Sequence, residues 1–300
     1  MRKSVALSWL LLLCLTACQS TSVTAPAPTP KRLQINGAEL SYVEQGTGVV
    51  VLFVHGAGQD WRAFDALRPY ISSKYRYIAL SRRYHHPNVW PDDGRTYTID
   101  QNVEDVAAFI RQLNAGKVHL VGNSFGGRIV AYTAVRHPDL LRSVVLGEAS
   151  LLTPDSPDGK AAVAAYQSDL GKARAAALAG NDMLAAELVV NAILGDSNAM
   201  ESLSPDSKSA VADNSKTMGP LFKGAPPAAL TCQTLKEFKV PVLVIRGEKT
   251  RDAFRFGNDQ MLKCLPPTTQ TAVVPNARHL WPRDSPQVAA DDILSFVSKH

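Results

Sequence analysis

The chain has 300 residues, 45% of them apolar and 20% charged, the balance of an ordinary globular protein and not of a disordered segment or a membrane bundle. Its 32 basic and 27 acidic residues give a formal charge of +5, and no run of five like charges occurs, so a nucleic-acid partner is not expected. The length suits one large α/β domain with an insertion, or two small domains, and composition alone does not choose between them.

Arg2 and Lys3 precede an apolar run, Val5 to Leu15, followed by small residues and a cysteine, the layout of a signal peptide. The run is about 11 residues, whereas about 20 are needed to cross a bilayer as a helix, so removal is expected and not a permanent span. Leu15-Thr16-Ala17-Cys18 resembles the lipobox of bacterial lipoproteins. That resemblance implies a signal peptide at 1–17, lipidation of Cys18, and membrane attachment through the N-terminal lipid. Gln19 stands where an Asp would favour inner-membrane retention, which points to the periplasmic face of the outer membrane. Residues 18–30, rich in Ser, Thr, Pro and Ala, read as the lipidated cysteine and a flexible tether. Without Arg2 and Lys3, 30 basic residues face 27 acidic ones.

From Lys31 two alternating segments flank the turn signal Asn36-Gly37, predicting a β-hairpin. Val49 to Val54 is an uninterrupted apolar run, and similar runs recur at Tyr77 to Leu80, Val118 to Val121, Val144 to Leu146 and Val242 to Ile245. Such runs are expected of strands buried on both faces of a parallel sheet. Helix-period segments at Trp61 to Tyr70, Ile99 to Leu113 and Ser124 to Arg136 alternate with the first of them. The pattern predicts an α/β fold with a doubly wound, mostly parallel sheet. Between residues 151 and 239 the strand pattern gives way to Ala-rich helical stretches around Gly159 to Leu178, Asp182 to Leu194 and Pro227 to Phe238, expected to form a helical cap. A strand at Thr271 to Val274 and a helix from Gln287 to Lys299 close the core, which occupies 31–150 and 240–300.

Four cysteines occur; Cys14 leaves with the signal and Cys18 is lipidated, so Cys232 and Cys264 remain as an expected disulfide in an oxidising compartment.

The strand ending at Val121 runs into Gly122-Asn123-Ser124-Phe125-Gly126 and then a helix, a G-x-S-x-G in strand-turn-helix context that would present Ser124 at the sheet's C-terminal edge. The strand Val49 to Val54 ends in His55-Gly56-Ala57-Gly58. A serine hydroxyl needs a base, and His279, after the last strand, is the candidate. These features resemble the α/β-hydrolase superfamily over about residues 31 to 300. The resemblance implies an eight-stranded sheet, Ser124 as nucleophile, His279 as base, and an oxyanion hole from the amides of Ala57 and Phe125. His55 is expected to brace the loop; His85 and His86 are expected at the pocket mouth.

The acid is the departure. The family's usual G-x-x-D position reads Gly247-Glu248-Lys249-Thr250, so the carboxylate must come from elsewhere. Glu148, ending the strand Arg142 to Gly147, is preferred because some family members carry their acid there; Asp252 is the alternative. A serine at the elbow argues against the alkyl-aspartate chemistry of epoxide hydrolases and dehalogenases. The expected activity is serine-dependent hydrolysis of a carboxylic ester, a small-molecule acyl substrate, without cofactor or metal. Amide, thioester or C–C bond hydrolysis remains open, as does a non-catalytic cell-envelope binding lipoprotein.

Overall fold

The computed structural model of the chain describes residues 28–300. The expected signal segment, Cys18 and most of the tether lie outside the described residues.

β1 (Lys31–Ile35) and β2 (Ala38–Gln45) pair antiparallel. Asn36 and Gly37 between them take φ of 46° and 75°, the left-handed pair that matches a two-residue turn to the strands' twist. Then follow β3 (Val50–Val54), β4 (Arg76–Leu80), β5 (Val118–Asn123), β6 (Leu141–Gly147), β7 (Val242–Gly247) and β8 (Gln270–Val274). The eight strands form one sheet in the order β1-β2-β4-β3-β5-β6-β7-β8. From β3 to β8 every pairing is parallel. The chain leaves β3 to one side for β4 and returns on the other for β5, and that reversal opens a crevice beyond the strands' C-terminal ends.

The uninterrupted apolar runs are explained by burial on both faces. Val50, Leu52 and Val54 enter one hydrophobic cluster with the helices Ile99–Leu113 and Phe125–Arg136. Val51 and Phe53 enter another with the helix Pro286–Val297 and the segment from Trp61 to Ile71. Each fully buried aliphatic side chain contributes roughly 1.5–3 kcal/mol, so displacing either helix layer would expose a whole strand face.

Between β6 and β7 lie the helices Pro157–Leu178, Asp182–Leu194, Pro205–Asn214, Met218–Lys223 and Cys232–Lys236. The first two are joined by small residues, Ala173, Ala177, Ala185 and Ala186, all buried, which let their backbones approach closely. A disulfide joins Cys232 to Cys264 across 32 residues, tying the last cap helix to the end of the helix Asp252–Leu262.

Several local expectations are corrected. The Trp61 to Tyr70 segment is a 3₁₀ turn, Trp61–Leu67, before a short α-helix, Arg68–Ile71. The helix expected from Pro227 begins only at Cys232, because Thr231 caps it by accepting from Thr234 N–H at 3.2 Å and Tyr132 holds the Ala228 carbonyl at 2.8 Å. The helices Pro205–Asn214, Met218–Lys223 and Asp252–Leu262 had no counterpart in the sequence reading.

Candidate active site

Ser124 sits between β5 and the helix Phe125–Arg136 with φ 56° and ψ −123°, a conformation that a residue with a side chain adopts only when its surroundings enforce it. Its N–H donates to the Gly147 carbonyl at 2.7 Å. The flanking glycines allow the tight turn: a Cβ at Gly122 would stand 2.5 Å from the Gly126 carbonyl oxygen, and one at Gly126 would stand 2.0 Å from the Val54 oxygen. Either methyl would force strand and helix apart. Ser124 Cβ lies 3.3 Å from the Cβ position at Gly56, so the β3 loop and the elbow are in contact.

The amides of Ala57 and Phe125, the two expected oxyanion donors, have no acceptor among the described residues. For Phe125 this follows from its place in the first turn of a helix. The β3 loop is braced from beneath. Arg82 N–H donates to His55 Nε2 at 3.0 Å, and its guanidinium donates to the carbonyls of His55 (3.1 Å) and Gly56 (2.9 Å) and to Asn102 Oδ1 (3.0 Å). His55 Nδ1 contacts the Gly56 carbonyl at 2.9 Å. Burial, with the Arg82 charge alongside, holds the His55 imidazole well below its ordinary pKa, so the ring is neutral and structural. His85 does not lie at the pocket mouth: it is fully buried, edge-on to His55 at 4.5 Å and within 3.1 Å of the Tyr97 hydroxyl. Tyr84, with φ 70°, turns the chain inward, whereas His86 is exposed.

His279 follows β8 and is 2% exposed. Its Nδ1 lies 2.5 Å from Glu148 Oε2, and its Nε2 is buried with no hydrogen-bond partner. Phe254, a wall of the adjoining cavity, covers the ring at 4.0 Å between centroids. The structure shows no hydrogen bond from Ser124 Oγ to Nε2; in substrate-free enzymes such bonds are often long. What joins the two loops is Asn123, the residue before the serine: its Nδ2 donates to the His279 carbonyl at 3.1 Å, and its Oδ1 accepts from Trp281 Nε1 at 2.8 Å.

Of the two candidate acids, the structure brings only Glu148 to the histidine. Glu148 is 1% exposed, and its carboxylate accepts from Gly247 N–H at 2.8 Å and from the Thr250 hydroxyl at 2.6 Å. Thr250 thus occupies the family's usual acid position but serves as a donor to a carboxylate from the next strand. Asp252 points away, 63% exposed and paired with Arg255 at 2.8 Å. The sequence reading missed Arg82, Asn123 and Thr250; a hydroxyl in the acid's place beside a carboxylate-ended strand was the one available signal.

A cavity of about 510 Å³ opens over Ser124 beneath the cap. Ala57, Phe125, Glu148 and Phe254 border it, and Leu152, Val163, Leu170, Val189 and Ile193 line its apolar roof.

A model of the "Alpha/beta hydrolase family" matches residues 51–292. The 2-(acetamidomethylene)succinate hydrolase of Mesorhizobium japonicum is 28% identical over 276 residues, which cover 89% of this chain and 94% of that enzyme. The crystal structure of E-2-(acetamidomethylene)succinate hydrolase covers 91% of this chain and 100% of its own at a TM-score of 0.67 and 24% identity. The carboxylesterase CesB from Bacillus subtilis covers 91% and 93%, with a TM-score of 0.71 and 19% identity; both structural likenesses bear on the fold alone. With a family match that takes in the β3 loop, the elbow and His279, this chain belongs to the α/β-hydrolase family and is a hydrolase.

Proposed function

We propose that the chain is a serine hydrolase that cleaves a carboxylic ester through an acyl-enzyme on Ser124. The observation that carries this reading is the buried Glu148–His279 pair, 2.5 Å apart, whose far nitrogen is left unpartnered on a loop held to the elbow by Asn123. With Nδ1–H donated to the carboxylate, Nε2 is the acceptor tautomer. Nε2 takes the Ser124 proton as Oγ attacks the acyl carbonyl, and returns it to the leaving alcohol; water then releases the acyl group by the same steps. The developing oxyanion is received by the N–H groups of Ala57 and Phe125. Arg82 donates to the Gly56 carbonyl, the other end of the peptide that carries the Ala57 N–H, and so strengthens that donor.

The acetamido group in the name of the Mesorhizobium relative favours an amide as the second reading. Turnover of paired ester and amide substrates distinguishes the two. The expected result is an acyl-enzyme burst with the ester, abolished in Ser124→Ala; a burst that survives in that variant contradicts the reading.

We also propose Cys18 as a lipid attachment site that places the enzyme on the periplasmic face of the outer membrane, a reading supported by the sequence of residues 2–19 alone. Detergent phase partitioning of the full chain tests it: lipidated protein enters the detergent phase, and Cys18→Ser should move it to the aqueous phase.

A further inference from the structure

The cavity over Ser124 contains a cation that nothing around it neutralises. Among its lining residues only Arg128 and Glu148 carry charge, and Glu148 is committed to Gly247, Thr250 and His279. Arg128 lies in the first turn of the helix that begins after Ser124, and its N–H bonds the Ser124 carbonyl at 3.1 Å. Its Nε is buried without a hydrogen-bond partner, and its guanidinium makes no ion pair among the described residues. The contrast with the buried arginines is direct: Arg83 is held by Asp105 at 2.7 Å, Arg68 by Asp65 at 2.7 Å, and Arg82 by its row of carbonyls. Residues 1–27 contain no Asp or Glu that could serve Arg128 instead.

A second orphan faces the same space. Ser150, just beyond β6, lines the cavity, and its Oγ is buried without a partner. The neighbours of the two residues touch: a Cβ at Gly127 would lie 3.0 Å from the Ala149 Cβ. Tyr166 lines the same cavity; burial pushes its phenol up to about 12 against the opposing charges of Arg251 and Arg128, so it carries its proton at neutral pH. Three donors therefore line one chamber whose single carboxylate, Glu148, is already committed to other partners. An Nε left this way forfeits its hydrogen bond, a cost that a ligand carboxylate would reverse through charge-assisted, bidentate contact with the guanidinium.

We propose that Arg128 is the seat of a carboxylate on the substrate, with Ser150 and Tyr166 as supporting donors, so that the compound cleaved at Ser124 is a half-ester or half-amide of a short dicarboxylic acid. The inference rests on the hydrolase reading for its cleavage step, and on the cavity alone for its anion. A monoanion is the match: one uncompensated positive charge is present, and a phosphate dianion would leave surplus negative charge near Glu148. Arg128 stands four residues beyond Ser124, about 6 Å along the helix axis, so the carboxylate lies only a short spacer from the scissile carbonyl.

The test is calorimetric titration of the Ser124→Ala protein, which binds without turnover, with monomethyl glutarate and with dimethyl glutarate. The anionic half-ester should bind at least about tenfold more tightly than the neutral diester, the span of a charge-assisted hydrogen bond. Adding Arg128→Gln should erase that preference, and Arg128→Lys should retain part of it; melting curves confirm that each variant is folded. A half-ester that binds no better than the diester, or not at all, overturns the proposal, as does a preference undiminished by Arg128→Gln. Failure of the hydrolase reading looks different: the wild type would turn over neither ester while the charge preference in binding persists.

Discussion

Glu148→Gln is the substitution whose consequence the geometry defines most closely. Oε1 accepts from Gly247 N–H at 2.8 Å, and Oε2 accepts from the Thr250 hydroxyl at 2.6 Å and faces His279 Nδ1 at 2.5 Å. Glutamine is nearly isosteric and keeps its carbonyl oxygen for Gly247, which leaves the amide NH₂ facing two groups that had been donors. The threonine hydroxyl can rotate and accept. The imidazole can accept only by surrendering the Nδ1 proton, which moves the ring proton to Nε2, the atom that must be free to deprotonate Ser124. Turnover should therefore fall on the order of 10⁴-fold, equivalent to about 5.5 kcal/mol of transition-state stabilisation. KM should change little because glutamine nearly matches the shape of the part of the cavity wall that Glu148 forms. Asp252→Asn, at a carboxylate 63% exposed and bound only to Arg255, should leave kcat/KM within about twofold. Steady-state hydrolysis of a short-chain p-nitrophenyl ester measures both. A Glu148→Gln enzyme within tenfold of wild type, or a crippled Asp252→Asn enzyme, would refute the assignment.

Thr250→Val removes a hydroxyl bonded to the Glu148 carboxylate and should lower kcat about tenfold or more; an unchanged kcat contradicts this. Replacing Cys232 and Cys264 with serine releases a 32-residue loop and should lower unfolding free energy by about 3–4 kcal/mol in the loop-entropy view, read as a fall in denaturant midpoint that an unchanged midpoint would disprove. Burial, with Arg142 and His300 nearby, pulls the His119 imidazole down to about 4. Because the unfolded chain takes up that proton first, near pH 6.5, the stability is intact above that pH and is lost as pH falls toward 4, by about 3 kcal/mol in all. Denaturant midpoints compared at pH 7.5 and 4.5 should show a smaller loss in His119→Gln than in wild type, and equal losses would exclude His119 as a source.

The sheet was legible in the sequence because strands buried on both faces leave a continuous apolar signature, and the helix Ile99–Leu113 has the bounds its pattern implied. Its ends are marked locally, by Thr98 accepting from Gln101 N–H and by Asn114 in the left-handed region. The helix Asp252–Leu262 was missed because its buried positions, among them Ala253, Phe254, Gly257 and Gln260, mix apolar, glycine and polar types. Ser124 and His279 were legible through local motifs, whereas their supports are distant in sequence: Asn123 reaches the His279 carbonyl across 156 residues. Thr250 shows the limit most clearly. A threonine cannot balance an imidazolium, and its role as donor to Glu148 depends on β6 and β7 being neighbours.

The central claim is that Ser124 and His279 act together, and phosphonylation tests it most directly. Incubation with a fluorophosphonate followed by peptide mass mapping should place one adduct on the peptide that contains Ser124, with a labelling rate that falls by about 10³ or more in His279→Gln. An adduct elsewhere, or Ser124 labelled at an undiminished rate in that variant, would contradict the account.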